Sequence, residues 1–70
     1  MNKILLRKLA KRIKDLRKEF GYTQDDLSFK ADIPRSTIGN IETAQNDITL
    51  SKLYKIAKAF NMTIGQLLTF

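Results

Sequence analysis

The sequence predicts an all-α fold, a bundle of five short helices, and three observations carry the prediction. Apolar residues recur at steps of three and four over most of the chain, the spacing of a helix that buries one face. A small device occurs three times, in which an apolar residue precedes a threonine and another follows that threonine by four: Tyr22-Thr23…Leu27, Ile48-Thr49…Leu53 and Met62-Thr63…Leu67. This is the hydrophobic staple about an N-cap, and it marks three helix starts. No stretch shows the strict alternation of a half-buried strand.

The first helix is expected from about Ile4 to Phe20. Leu6, Leu9, Ile13, Leu16 and Phe20 form its apolar stripe, Leu5 lies off it, and Gly21 suits a left-handed C-cap. The second begins at the N-cap Thr23, with Asp26 three residues on as a variant capping box, and runs out near Ala31. Asp32 tolerates the left-handed backbone that a sharp exit needs, and Pro34 biases Ile33 toward an extended conformation. Proline also suits the first turn of the next helix, Arg35 to about Thr43, which turns Ile38 and Ile41 inward. A polar loop, Thr43 to Asp47, leads to a fourth helix with Leu50, Leu53, Ile56, Ala57 and Phe60 inward and Asn61 as C-cap. A last turn, about Ile64 to Leu68, starts from a capping box of Thr63 and Gln66. The expected core is Leu9, Ile13, Leu16, Leu27, Ile38, Ile41, Leu53, Ile56, Ala57, Phe60 and Leu67.

Seventy residues make one domain close to the smallest size that sustains its own core. The chain has no Cys and no His, so there is no disulfide framework, no thiol nucleophile and no usual zinc ligand set. Asp25 and Asp26 are neighbours on a helix and point apart, so they do not form a catalytic pair, and the chain reads as no enzyme. No apolar segment approaches the ~20 residues of a membrane span, and no apolar signal core follows the basic N-terminus, which implies a cytoplasmic protein.

Net charge is +6, unevenly spread. Residues 1–20 carry eight bases and two acids, residues 21–50 two bases and five acids, and residues 51–70 three lysines and no acid. Such a balance fits nucleic acid or another anionic surface. The basic face of the first helix is read either as a phosphate-binding face or as an ordinary solvated one. If the partner is DNA, the outer helices supply much of the attraction, because the middle of the chain is acidic.

Residues 23–43, two short helices joined by a tight turn, match the helix-turn-helix pattern, whose second helix enters the major groove. An ordinary αα-corner in a small bundle fits the same stretch. With all five helices placed, residues 9–68 as a whole resemble the Cro/cI-type (Xre-like) helix-turn-helix domains of phage and bacterial repressors, and so a lambda-repressor-like bundle. The resemblance runs through Ile13-x-x-Leu16-Arg17, Gly21-x-Thr23-Gln24-x-x-Leu27, Ile38-x-x-Ile41-Glu42, Leu53-x-x-Ile56-Ala57-x-x-Phe60 and Leu67.

That resemblance implies roles for single residues. Arg35, Ser36, Thr37 and Asn40 fall on positions that face the bases of DNA, where Arg35 can bond guanine, Asn40 adenine, and Thr37 a thymine methyl. For Ser36 and Thr37 a helix-start capping role is the alternative. Gln24 falls where a glutamine contacts phosphate and braces the reading helix. Asn46 in the loop and Lys11 on the basic face are further phosphate candidates. Arg17 and Glu42 match an internal salt bridge tying the first helix to the end of the reading helix. The departures are Asp32 and Ala44 where glycine is customary, Ser28 in place of a customary alanine, Gly39 inside the reading helix, and Phe29 at a usually polar position.

The expected function is that of a sequence-specific, double-stranded DNA-binding transcriptional regulator of bacterial or phage origin, without a cofactor. It would act as a dimeric repressor or as an autoregulating controller or antitoxin-type protein. A homodimer on a pseudo-palindromic operator is expected, with Leu68 and Phe70 as its interface. Two rivals are a protein-interaction module of the same fold and a cationic protein of the membrane surface.

Overall fold

The computed structural model describes residues 2–70, and among these the regular elements are all helices: α1 (Lys3–Glu19), α2 (Gln24–Ala31), α3 (Arg35–Glu42), α4 (Leu50–Ala59) and α5 (Ile64–Leu67). Helix α2 packs against α3 and α4, α1 against α3, and α4 against α5, so α2 and α3 stand together as a pair braced from behind.

The helix starts are built as their spacing dictates. Thr23, Thr49 and Thr63 each accept the backbone N–H three residues on, at 3.0–3.2 Å. At Thr23 and Thr63 the box closes, because Asp26 and Gln66 accept the threonine N–H at 2.9 Å. The Asp26 carboxyl is accordingly held below the usual carboxylate range, first by that backbone N–H and then by the Thr23 hydroxyl. Helix α1 has a cap of its own, since Asn2 Oδ1 accepts from the N–H of Ile4 and Leu5.

The helix ends share a device as well. After α1, α2, α3 and α4 one residue turns left-handed: Gly21 (φ 72°), Asp32 (φ 54°), Ala44 (φ 55°) and Asn61 (φ 56°). In each case the next residue donates its N–H back to a carbonyl five residues earlier: Tyr22 to Arg17, Ile33 to Ser28, Gln45 to Asn40, Met62 to Ala57, at 2.8–3.1 Å. This is the Schellman closure, which satisfies carbonyls that a helix end leaves open. Only one of the four sites holds glycine, so the other three carry the Cβ strain of that conformation.

Every residue of the expected core is buried. Leu6, Ala10, Ala31, Ile33 and Ile48 join them. Ile33 and Ile48 lie between helices, where no helical period points them inward; the turns that end α2 and begin α4 do so. Ser28, at the crossing of α2 and α3, fits and also donates its hydroxyl to the carbonyl of Ile33, clamping that turn. One expectation fails. Leu50 keeps phase with Leu53 but is 70% exposed. It is the first residue of α4, and that turn overhangs the core, while Ile48 before the cap takes the inward place.

Leu5 and Phe29 are exposed. Phe20, at the rim of the α1 stripe, sits with its ring centroid 5.1 Å from Phe60 and 5.5 Å from Tyr22. The stripe of α1 is consumed by the core, so the apolar face that a membrane-surface peptide would offer to lipid is unavailable. No helix among the described residues is long and apolar enough to cross a membrane.

Candidate nucleic-acid interface

Helix α3 begins at Arg35, with Pro34 as its N-cap. Proline therefore stands one place before the first helical turn rather than in it. It has no side-chain group to cap with, and neither Ser36 nor Thr37 takes over that task. The capping alternative for these two hydroxyls is thus set aside. Ile38 and Ile41 anchor the buried side of α3, which leaves Arg35, Ser36 and Asn40 exposed and Thr37 half-buried. Among the described residues the side chains of Ser36, Thr37 and Asn40 make no hydrogen bond within the protein. A polar helix face with donors and acceptors uncommitted is what base-edge recognition requires.

Arg35 is the exception, because its Nε lies 3.2 Å from Asp25 Oδ1 on α2. Gly39, one turn on, shares its face: a Cβ added there would stand 3.5 Å from Arg35 Nη1, an ordinary contact.

Behind this face lies a largely buried polar assembly. Arg17 grips Glu42 with two prongs, Nε to Oε2 at 2.7 Å and Nη2 to Oε1 at 3.1 Å, and donates Nη1 to the carbonyl of Tyr22 at 2.9 Å. The Gln24 amide donates to Glu42 Oε1 at 3.1 Å. Glu42 is the buried charge, its side chain 1% exposed, and three donors compensate it. The assembly locks the last residue of α3 to the body of the domain. Gln24, half-buried, thereby braces the end of α3, and its amide nitrogen carries a second hydrogen.

The loop after α3 folds back, so that Asn46 shares a small cleft with Thr37 and Asn40, together with Ile41, Asp47 and Lys52. Lys52 was not singled out by sequence, since an outward lysine on α4 has no local signal saying which neighbour it meets. A second cleft, beside the end of α3, is lined by Arg7, Lys11 and Lys14 with Thr43 and Ala44. Lys11 also pairs with Asp15 at 2.7 Å in solvent, and that contact leads in holding the Asp15 carboxyl low.

The basic face of α1 is therefore not uniform. Arg12 leaves it altogether, donating Nε to the carbonyl of Leu67 at 3.1 Å and Nη2 to that of Gln66 at 3.0 Å. A cation there satisfies the open end of α5. Arg12 and Arg17 are structural; Arg7 and Lys11 are exposed and Lys14 is half-buried around the cleft. Leu68 and Phe70 lie at the end of the chain, 41% and 50% exposed.

Comparison with known proteins assigns this arrangement. The helix-turn-helix family HTH_3 matches residues 13–67. The chain belongs to that family. It is 37% identical over 59 residues to an HTH-type transcriptional regulator of Archaeoglobus fulgidus, covering 84% of each chain. Among solved structures, it is similar to the restriction-modification controller protein C.AhdI of Aeromonas hydrophila, with a TM-score of 0.85, 31% identity, and 89% of this chain and 94% of that one covered. It also matches the controller protein C.Esp1396I, solved as a tetramer with its natural 35-base-pair operator, at a TM-score of 0.82 and 33% identity, covering 91% of this chain and 88% of that one.

Proposed function

We propose that this helix-turn-helix protein is a transcriptional regulator that binds double-stranded DNA by laying α3 in the major groove. The observation that carries this is the polar face of α3, whose Ser36, Thr37 and Asn40 have no partner among the described residues while the opposite face is locked into the core. The similar C.Esp1396I, solved in complex with its operator, supports a DNA partner. Arg35, Ser36, Thr37 and Asn40 would read bases, and Gln24, Asn46 and Lys11 would hold phosphates. Lys11 must first leave Asp15, a small cost for an exposed pair.

One such domain reads too few base pairs for useful specificity. Two copies are expected to pair through Leu68 and Phe70, placing half-sites about 10 bp apart or a multiple of that. The protein works in the cytoplasm, where bacterial DNA is, and needs no cofactor. It acts as a repressor or an autoregulating controller, occupying an operator.

Selection of bound sequences from random duplexes tests this reading. Enrichment of one pseudo-palindrome, with preference relaxed in Arg35→Ala, is the expected result, and affinity should fall steeply as salt rises. Failure to enrich any sequence, with binding indifferent to salt, would overturn it in favour of a protein-interaction module.

A further inference from the structure

We propose that Asp25 is a positioning residue for base reading, holding Arg35 so that it addresses a base edge rather than the nearest phosphate. The inference rests on the reading of α3 as the recognition helix. Asp25 and Asp26 are adjacent, yet α2 sends them to different tasks. Asp26 turns back to the Thr23 N–H and closes the capping box, whereas Asp25 turns toward α3 and meets Arg35. Neither member of this pair has any part in the core: Asp25 is 83% exposed and Arg35 53%.

The geometry of the pair is selective. Asp25 approaches Nε, one side of the guanidinium, and leaves Nη1 and Nη2 without a hydrogen-bond partner among the described residues. Guanine recognition takes two parallel N–H groups onto O6 and N7. With the carboxylate beside the Nε side as an ion-pair partner, the terminal nitrogens remain for that pair, and the charge contact biases where the guanidinium rests. Nη1 lies along α3 beside Gly39, where an added Cβ would stand 3.5 Å away.

A second effect comes from charge. An unrestrained arginine at the start of α3 is a long, mobile cation that any phosphate can recruit, and such contacts carry no sequence information. A carboxylate beside it repels phosphates and penalises that alternative, so specificity rises while non-specific affinity falls. Asp25 therefore opposes binding in general and favours binding at one base pair.

The experiment compares the parent, Asp25→Asn, Arg35→Ala and the double variant on a duplex carrying the selected operator and on duplexes changed at one base pair each. Asp25→Asn is expected to lose discrimination at the base pair Arg35 reads, by about two- to fivefold, the range of an exposed ion pair, and to bind unrelated duplex more tightly. In the Arg35→Ala background the same change should leave discrimination at that position unaltered, which a merely structural role would not produce. Its melting temperature should stay near the parent's. Unchanged discrimination in Asp25→Asn, or a loss at another base pair, overturns the proposal while the reading of α3 stands. A parent that enriches no operator overturns both.

Discussion

Replacing Arg17 by alanine is the sharpest test of how this small domain holds its reading helix. The change removes two donors from Glu42 and one from the carbonyl of Tyr22, leaving a carboxylate with a 1% exposed side chain on the Gln24 amide alone. Breaking a buried pair by removing one partner costs about 3–5 kcal/mol, because the remaining charge is uncompensated. The stability of a chain this size is only roughly 4–10 kcal/mol, so the loss takes a large part of it. At about 4–8 °C per kcal/mol for a domain of this length, the melting temperature should drop by at least about 12 °C. Circular dichroism melts measure this directly. At temperatures where the variant is still folded, DNA affinity should weaken with base preference intact, since Arg17 is on the far side of α3 from the reading face. Replacing both partners by apolar residues, Arg17→Met with Glu42→Leu, should recover much of the loss, because no charge is then stranded. Equal melting temperatures for Arg17→Ala and the parent would refute the reasoning, and a double variant as unstable as the single one would show that uncompensated charge is not the cause.

Three further outcomes follow from the geometry. Ala44→Gly should stabilise the fold by about 1 kcal/mol, because φ 55° there strains any residue with a Cβ, and chemical denaturation would show the gain as a higher midpoint. Asp26→Ala should lower stability at neutral pH, with the gap to the parent closing in acid. The folded-state Asp26 titrates below its unfolded value, so its contribution is complete above the unfolded pKa of about 3.9 and is lost as pH falls through the folded one. Leu68→Ser with Phe70→Ser should shift sedimentation toward the monomer and weaken operator binding, with little change in helix content; an unaltered dimer would reject this end of the chain as the interface.

What the chain settled without coordinates is largely local. Caps at Thr23, Thr49 and Thr63 involve partners three residues apart, and the left-handed exits at Gly21, Asp32 and Asn61 depend on single residue types, so both were legible in order along the chain. The inward places of Ile38 and Ile41 on α3 followed from helical spacing, whereas the DNA-facing roles of Arg35, Ser36, Thr37 and Asn40 came from resemblance, as did the pairing of Arg17 with Glu42, since no periodicity relates positions 25 residues apart. Tertiary structure alone decided the rest. Whether Leu50 or Ile48 enters the core depends on where α4 overhangs its neighbours, which apolar spacing does not encode. That Arg12 belongs to α5, and Asp25 to Arg35, depends on how helices cross, and long charged side chains on one basic or acidic face look alike until the elements they meet are in place. Helical period assigns a side chain to a face; only packing determines what that face meets.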